Sequence, residues 1–234
     1  MWTIGEVKAK GREAFKANYW RCVLVTFILT MVAGVSYSSS SAGNGGTEDA
    51  TNGFVDAFSA LSPEQQLTFV GILTGFLGVG LIIGLLIRVF IKNPLEVGCY
   101  NFFKKNIENP PADLGTVKEG FSGFWHIFCT LFLRDLFNAL WFCLCIIPGL
   151  VKMYSYRMVP YIIKDNPELS ATEVITRSRE MMNGNKWRAF LLDLSFIGWI
   201  LLCVITLGIA AFFWVGPYMS STDAALYLEL KKQQ

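Results

Sequence analysis

The chain has 234 residues, of which 53% are hydrophobic and only 16% are charged. A typical soluble domain carries about 25% charged residues, so this composition predicts a membrane protein. It also excludes an intrinsically disordered chain, which would combine low hydrophobicity with high charge. The net charge of +2 is too small for a strongly basic nucleic-acid-binding protein, and no nucleic-acid partner is expected.

Cysteine and histidine usage argues against a metal site and a cofactor. The six cysteines all lie in or beside apolar runs, as small buried hydrophobic residues do, so no disulfide framework is predicted. Cys143 and Cys145 would point about 200° apart on a helix, which makes them a poor pair of metal ligands. A lone His126 cannot complete a histidine-rich zinc site. We therefore expect neither a bound metal nor a cofactor.

The chain begins with a predicted amphipathic helix at residues 3–18, followed by an apolar run at residues 19–37. The run is long enough to cross the hydrocarbon core of a bilayer, and Trp20 near its start suits an interfacial aromatic belt. A secretory signal peptide is the alternative, because basic residues precede the run, but no convincing small-residue cleavage site follows it. The run is therefore predicted to be a transmembrane helix.

A second apolar run covers residues 67–91 and is rich in glycine. Two G-x-x-x-G patterns, beginning at Gly71 and Gly80, place small residues on a helix face where another helix could approach closely. The general enrichment of glycine in transmembrane helices explains the pattern equally well. Together the two runs predict a hairpin over residues 19–91, with an outside loop at residues 37–66.

The third apolar run, residues 124–147, contains an arginine and an aspartate near its middle. The Pro148-Gly149 pair is expected to end its helix, because proline disrupts a helical hydrogen bond and glycine permits a turn. A shorter and weaker run follows at residues 149–163. The two runs form a second predicted hairpin, at residues 124–163.

The last apolar stretch, residues 187–218, would reach about 48 Å as a single helix, which is long for one crossing. The sequence Thr206-Leu207-Gly208 is predicted to break it. A second helix is then expected to continue through Pro217 to about residue 228. These two helices form the third predicted hairpin, at residues 187–230.

The distribution of charge orients these segments. Residues 36–66 hold four acidic groups and no lysine or arginine, whereas basic groups precede the first run and fill segments 92–123 and 164–186. Because basic residues concentrate in cytoplasmic loops, both termini and these two segments are expected in the cytoplasm. Only an even number of crossings between cytoplasmic segments fits. The sequence thus predicts one all-α membrane domain, a polytopic bundle of about six transmembrane helices in three hairpins.

An internal repeat supports the three hairpins. Residues 3–21 and 170–188 align without a gap, and a weaker third copy occupies residues 123–126. The two longer copies begin with capping boxes, Thr3-x-x-Glu6 and Ser170-x-x-Glu173, in which each side chain bonds the backbone at the other position. Each copy ends in a tryptophan followed by a basic residue, a combination that suits the membrane interface. The predicted interfacial anchors are Trp20, Arg21, Trp125, His126, Trp187 and Arg188.

The capped helix of each longer copy is predicted to be amphipathic, with lysine and arginine opposite a face of small and apolar residues. Such helices could lie on the cytoplasmic surface, where each basic residue would gain roughly 1 kcal/mol from anionic headgroups. Alternatively, they could only brace the bundle. The predicted faces are Val7, Gly11, Ala14 and Phe15 in the first copy and Val174, Ser178, Met181 and Met182 in the second.

Four charged residues inside the apolar runs are the candidate site, because a charge at membrane depth is costly. A polar path for a proton, an ion or a headgroup is one hypothesis. An ion-pair network that only fixes helix register is the other. A further alternative places residues 124–133 in the interface, so that the first of these charges never reaches the membrane core. The four residues are Arg134, Asp135, Arg157 and Asp193.

The C-terminal half carries the motifs Ile147-Pro148-Gly149, Tyr154-Ser155-Tyr156, Asp165-Asn166-Pro167-Glu168 and Pro217-Tyr218. With these motifs the chain closely resembles a bacterial integral-membrane family known as domain of unknown function 975. That family more distantly resembles the membrane domains found beside some glycerophosphodiester phosphodiesterases. The resemblance implies a multi-pass fold in the bacterial plasma membrane, with a loose link to lipids, and it implies no reaction.

No enzymatic motif is found: the chain lacks a G-x-x-x-x-G-K-[ST] phosphate loop and a G-x-S-x-G nucleophile elbow, and no catalytic residue is predicted. We expect a non-enzymatic membrane protein that organises lipid or a membrane partner. Its predicted partners are anionic lipid headgroups and either a second copy of the chain or another membrane protein. The alternative is a small transporter or channel component that uses the buried charges.

Overall fold

The computed structural model describes residues 2–37, 58–206 and 208–234. Most of the predicted outside loop at residues 37–66 lies outside the described residues, as does Leu207 of the predicted helix break. The described residues form helices and turns, and they include no strand. The predicted all-α class is confirmed for this part of the chain.

The α-helices are numbered in chain order over the described residues. They are α1 (Ile4–Ala17), α2 (Tyr19–Tyr37), α3 (Pro63–Ile87), α4 (Asn93–Glu108), α5 (Gly115–Lys118), α6 (Phe124–Leu144), α7 (Ile146–Ser155), α8 (Val159–Asp165), α9 (Ala171–Met181), α10 (Lys186–Leu194), α11 (Ile197–Ile205) and α12 (Gly216–Lys231). Wider π-helical turns, Arg88–Lys92 and Ala211–Val215, lead directly into α4 and α12.

The chain divides into two compact units, one of residues 1–32 and 92–234 and the other of residues 33–91. The second unit contains α3, whose large apolar side chains are exposed. A Cβ atom added at any glycine of its two G-x-x-x-G patterns would meet no atom within 4 Å. The close helix approach that these patterns can support is therefore not made among the described residues of this unit.

Among the described residues, three helical segments are long and apolar enough to cross a membrane: Pro63–Glu108, Phe124–Leu144 and Lys186–Ile205. Tyr19–Met31 is a shorter apolar helix. The return limbs of the second and third predicted hairpins are not among these segments. The limb after α6 is divided between α7, of 10 residues, and α8, of 7 residues, while α12 is largely buried in protein. The count of six crossings stays a prediction.

The turn between α6 and α7 lies earlier than predicted. The helix ends at Leu144, Cys145 is extended, and α7 begins at Ile146. Pro148 therefore stands in the first turn of α7, where its missing N–H costs nothing, and the expectation that Pro148-Gly149 ends the third helix is wrong. Gly149 instead allows close packing, because a Cβ there would lie 2.6 Å from a ring carbon of Phe142.

The predicted break of the last apolar stretch is confirmed. Helix α11 ends at Ile205, and Gly208 has a φ of +86°, a left-handed conformation that glycine adopts without steric cost. The chain then turns back through the π-helical turn into α12, with Pro217 in the first turn of that helix. A further break at Ser195-Phe196 separates α10 from α11 and was not predicted.

Both capped helices form as the repeat predicts. Thr3 and Glu6 close a capping box on α1, and Ser170 and Glu173 close the same box on α9. The predicted small and apolar faces of both helices are buried. Gly11 on α1 packs so closely on α12 that an added Cβ would lie 2.7 Å from Thr222 Oγ1. These faces therefore pack against protein, as the bracing alternative requires.

The centre of the first unit is formed by α4, α8 and α12, which we call the inner helices. Each has a proline at its second position: Pro94, Pro160 and Pro217. Proline is tolerated at this position, but it has no N–H to bond a preceding helical turn. Each inner helix therefore begins after a turn or a π-helical segment. The inner helices carry half of the buried polar side chains of the described residues.

Candidate functional site

The three inner helices carry functional side chains in three layers with a spacing of four residues. Residues four apart in a helix lie on the same face, so α4 and α12 each contribute one residue to every layer, while α8 contributes two and Arg157 lies in the turn just before it. The N-terminal layer is Glu96, Arg157 and Asp223, the tyrosine layer is Tyr100, Tyr161 and Tyr227, and the C-terminal layer is Lys104, Asp165 and Lys231.

The tyrosine layer separates the two charged layers. Tyr161 stacks on Tyr227 with ring centroids 4.9 Å apart and contacts Tyr100 edge-on at 5.1 Å. The Tyr227 hydroxyl donates to Asp165 Oδ2 at 2.7 Å. The Tyr161 hydroxyl has no hydrogen-bond partner among the described residues, although the side chain is only 1% exposed. Within this layer, the Tyr227 hydroxyl is therefore hydrogen-bonded and the neighbouring Tyr161 hydroxyl is not.

The C-terminal layer is a closed ionic cluster around Asp165. Its two oxygens accept hydrogen bonds from Lys104, from Lys231 at 2.5 Å and from the Tyr227 hydroxyl. The side chains of Asp165 and Lys104 are each 7% exposed. Burial alone would raise the pKa of Asp165, but the three hydrogen bonds outweigh it and hold that pKa below its ordinary value. This cluster fastens the three inner helices together.

The N-terminal layer is joined to neighbouring helices by paired charges. Arg157 donates to both oxygens of Asp193 at 2.8 Å and to Asp223 at 2.6 Å. The Tyr154 hydroxyl also donates to Asp193, at 2.8 Å. A guanidinium bound by two oxygens of one carboxylate is held in a fixed plane, so Arg157 has little rotational freedom. This group links the turn before α8 to α10 and α12.

A second group of charges lies beside the first. Arg134, midway along α6, donates to Glu96 at 3.0 Å and to Asp135 at 2.9 Å. Glu96 belongs to the N-terminal layer, so this pair ties α6 to the inner helix α4. No sequence pattern pairs Glu96 with Arg134, because the two residues lie in different predicted segments.

The two groups line one cleft of about 330 Å³, which we call the charged cleft. All four predicted site residues, Arg134, Asp135, Arg157 and Asp193, line it. Sequence reasoning missed Asp223, which shares the cleft, and Glu96, which neutralises Arg134. Their spacing of four residues from Tyr227 and Tyr100 is the signal that could have identified them. The polar path and the ion-pair network that only fixes helix register both stay predictions.

The predicted anchors divide into two kinds. The tryptophan side chains Trp20, Trp125 and Trp187 stand in the first turns of α2, α6 and α10, and they are 74%, 71% and 67% exposed. Large aromatic side chains in such positions suit a lipid headgroup region. The basic residues that follow them turn inward to backbone carbonyls instead of extending outward.

These three basic residues and their acceptors form what we call the carbonyl ring. Its bonds run from Arg21 to the Ala112 carbonyl at 2.8 Å, from His126 to the Leu169 carbonyl at 2.7 Å and from Arg188 to the Trp2 carbonyl at 3.4 Å. Trp2 and Leu169 directly precede Thr3 and Ser170, which cap α1 and α9, and Ala112 precedes Asp113, whose side chain accepts from the backbone N–H of Gly115. His126 of the short copy thus bonds the chain just before the copy at residues 170–188, and Arg188 of that copy bonds the chain just before the copy at residues 3–21.

A second cavity, of about 460 Å³, lies at the N-terminus of α6, and we call it the lysine pocket. Its lining includes Lys104, Lys105, Lys164 and His126, with Glu119 as its carboxylate. Lys164 donates to two backbone carbonyls and to the Ser122 hydroxyl, at 2.5 to 3.0 Å. Burial lowers the pKa of Lys164, Lys105 lowers it further, and Glu119 opposes both. The pocket therefore holds more cationic than anionic groups.

Comparison with known proteins identifies part of the chain. The family described as "Protein of unknown function (DUF975)" matches residues 143–234. The predicted resemblance is confirmed over this region, which contains the last two inner helices and the second half of the charged cleft. No curated protein and no solved structure matches the chain.

Proposed function

Because residues 143–234 belong to a family of unknown function, we propose from the geometry that this is a non-enzymatic integral membrane protein that binds and organises anionic lipid. Its place is the cytoplasmic leaflet of the bacterial plasma membrane. Six crossings in three hairpins, with both termini in the cytoplasm, are part of the proposal. Reporter fusions at residues 45, 115, 175 and 234 test the topology, with only the first expected outside.

One observation supports the lipid role most directly. The lysine pocket includes His126, and the neighbouring Trp125 is among the most exposed aromatic side chains. Both residues lie in the first turn of α6, which is long and apolar enough to cross a membrane. A tryptophan among the headgroups would place the pocket at the depth of the lipid phosphates, where basic pockets between membrane helices bind anionic headgroups.

The N-terminus of α6 adds to the attraction for an anion. The capping residue of this helix, Gly123, lines the pocket and supplies no side-chain hydrogen bond to the first turn. The first backbone N–H groups of a helix carry a partial positive charge, which stabilises a phosphate. Lys105 and Lys164 also line the pocket, so the helix end and these side chains all favour an anion.

Lipid analysis of the purified protein tests this function. We expect the full-length chain to retain anionic phospholipid above its proportion in the source membrane. The double variant Lys105→Gln/Lys164→Gln should lose at least half of that enrichment, because it removes two of the pocket's cations. The control Lys16→Gln/Arg179→Gln removes the same charge from exposed positions on α1 and α9. Equal enrichment in both variants would contradict a role for the pocket.

A transporter or channel component is the second candidate, and the charged cleft favours it. The cleft is lined by the carboxylates of Asp135, Asp193 and Asp223, and ionisable groups inside apolar segments suit the passage of a cation or a proton. Proteoliposomes loaded with a pH-sensitive or a potassium-sensitive dye would detect such a flux. A flux that Asp223→Asn abolishes would favour transport over lipid organisation.

A further inference from the structure

The lysine pocket contains an anion that belongs to the chain itself. Among the described residues that line the pocket, Glu119 is the only one with a carboxylate. Its oxygens accept two hydrogen bonds of 2.8 Å from Lys105 and one of 2.9 Å from the side-chain amide of Asn101. Asn101 is only 3% exposed, so the surrounding protein holds its amide in place. Lys105 and Asn101 therefore form a binding position for an oxyanion, and a residue of the chain occupies it.

The carboxylate in this position is held weakly. The side chains of Glu119 and Lys105 are 47% and 40% exposed, and an ion pair this exposed adds little to stability. The neighbouring pair of Lys104 and Asp165 is different, because each of those side chains is 7% exposed and breaking a buried pair is costly. An anion that enters the pocket would therefore displace Glu119 and leave Asp165 in place.

Lys164 lies beside the exposed pair and is held by neutral acceptors. It donates to the backbone carbonyls of Glu119 and Ser122 and to the Ser122 hydroxyl. It makes no salt bridge among the described residues, whereas Lys104 and Lys105 each make one. The ammonium groups of Lys105 and Lys164 are close enough for the first to lower the pKa of the second. Glu119 thus pairs directly with one of two neighbouring cations.

The charge of a ligand decides how well it can use both cations. A phosphate monoester carries about 1.5 to 2 negative charges at neutral pH and has three terminal oxygens, whereas a phosphodiester carries a single charge. A diester in place of Glu119 would exchange one negative charge for another. A monoester brings additional charge, which can pair with Lys164. The cavity of about 460 Å³ is within the range of small-molecule sites, so it has room for either group.

We propose that the lysine pocket selects a phosphate monoester, and that the Glu119 carboxylate occupies the phosphate position until such a ligand displaces it. The monoester belongs either to a lipid headgroup or to a small soluble molecule. This inference rests on the proposed function, because it concerns the same pocket, and it adds the class of headgroup and a competitor within the chain. On binding, the phosphate accepts from Lys105 and Asn101 and pairs with Lys164, while the Glu119 side chain turns toward solvent.

Isothermal titration of the full-length protein in a neutral detergent tests the selectivity with two short-chain lipids. Phosphatidic acid has a phosphate monoester, and phosphatidylglycerol has a diester. The wild-type protein should bind phosphatidic acid about fivefold more tightly, which is the gain expected from one further lysine contact. Lys164→Gln should remove most of this preference, because it removes the cation that pairs with the additional charge. Equal binding of the two lipids by the wild-type protein would overturn the proposal.

A double-mutant cycle tests the displacement. Glu119→Gln removes the competing charge and should strengthen phosphatidic acid binding about two- to fivefold, as expected for the loss of an exposed ion pair. In a Lys105→Gln background the same change should have a much smaller effect, because the carboxylate there has already lost its main partner. A carboxylate that only repels anions through space would give equal strengthening in both backgrounds, and that result would overturn the displacement.

A matched control and thermal unfolding complete the cycle. Glu168→Gln removes the same charge from an exposed position next to Pro167, which lines the pocket, and should leave phosphatidic acid binding unchanged. Glu119→Gln and Lys105→Gln alter exposed side chains, so both variants should keep the wild-type melting temperature. If Lys164→Gln proves unstable, the cycle of Glu119 and Lys105 decides alone.

Glycerol phosphate, a soluble monoester, identifies the source of the phosphate. If it binds as tightly as phosphatidic acid, the proposal is supported and the ligand is a soluble molecule. If it binds much more weakly than phosphatidic acid, the proposal is supported and the ligand is a lipid headgroup. Binding of neither monoester would overturn the proposal.

The outcomes also separate this inference from the proposed function. Enrichment of anionic lipid that depends on Lys105 and Lys164, combined with equal binding of phosphatidic acid and phosphatidylglycerol, would overturn only the selectivity for a monoester. Tight binding of glycerol phosphate without any enrichment of anionic lipid would support the monoester site and contradict the lipid role.

Discussion

The two charged layers of the inner helices differ in a way that separates scaffold from site. Both stand four residues from the tyrosine layer, and their charge patterns are opposite: the N-terminal layer has one cation between two anions, and the C-terminal layer has one anion between two cations. The C-terminal layer is closed, since the Asp165 side chain is 7% exposed and receives three donors. The N-terminal layer opens into the charged cleft.

This contrast shows that the buried charges of the inner helices need not share one role. Where every carboxylate oxygen has a donor and the ion pair is buried, the charges hold helices together, and replacing one partner leaves the other buried and unpaired. Where the carboxylates line a cleft and remain partly exposed, solvent moderates the loss of a partner. The two layers can therefore be tested against each other by matched substitutions.

The largest effect is expected from Asp165→Asn. This change leaves the buried ammonium of Lys104 without its counter-ion, and breaking a buried pair costs about 3–5 kcal/mol of unfolding free energy. Thermal or denaturant unfolding of the purified protein measures it. Asp113→Asn is the control, because the Asp113 side chain is 79% exposed, and it should cost well under about 1 kcal/mol. A small effect of Asp165→Asn would mean that the closed layer does not fasten the fold.

Acid should remove the same contribution from the wild-type protein. The pKa of Asp165 is lower in the folded chain than its ordinary value of 3.8, so the folded state favours the carboxylate. Its stabilisation is then fully present above about pH 4 and is lost as the pH falls through the lower folded pKa. The difference in melting temperature between wild type and Asp165→Asn should stay constant from pH 8 to pH 5 and shrink below pH 4. A difference that changes near neutral pH would contradict this assignment.

The stacked tyrosines should respond oppositely to the same change. Tyr227→Phe removes a hydrogen bond to a charged acceptor and should cost about 1.5–3 kcal/mol of unfolding free energy. Tyr161→Phe removes a buried hydroxyl that has no partner in the described structure, so it should leave stability unchanged or raise it. Denaturant unfolding of both variants gives the comparison. Equal destabilisation would show that the Tyr161 hydroxyl has an acceptor in the protein.

The smallest effect on stability is expected in the open layer. Asp223→Asn removes one of the two carboxylates that bind Arg157 and leaves the two-oxygen contact with Asp193 in place. It should cost at most about 1 kcal/mol, because the Asp223 side chain is 26% exposed and solvent moderates the loss. A cost as large as that of Asp165→Asn would remove the distinction between the two layers.

Local sequence signals predicted the helices well. The capping boxes of α1 and α9 and their buried faces follow from side-chain hydrogen bonding and the helical period, both of which act within a few residues. The break at Gly208 follows from a residue that accepts a positive φ. The prediction at Pro148 was wrong because proline can either end a helix or stand in the first turn of the next one. The sequence position does not distinguish these two cases.

Tertiary pairing limited what could be predicted of the site. Arg157 and Asp193 were selected as buried charges, and they bind each other. Asp223 escaped notice because a single acid near the end of an apolar stretch resembles a solvated helix terminus. Its pairing with Arg157 brings the turn before α8 to α12, a tertiary contact that no local pattern encodes. Arg21 and Arg188 were predicted as interfacial anchors. Their backbone acceptors, the Ala112 and Trp2 carbonyls, lie far away in the sequence and are brought close only by the tertiary fold.

The carbonyl ring and the closed layer also decide how this chain can be divided. The family match covers residues 143–234, yet within that region Arg188 bonds the carbonyl of Trp2 and Asp165 bonds Lys104. Excising the matched region would leave both groups without their partners and would uncover the face of α12 against which Gly11 packs. A fragment that keeps these polar contacts must therefore be larger than residues 143–234, the region that matches the family.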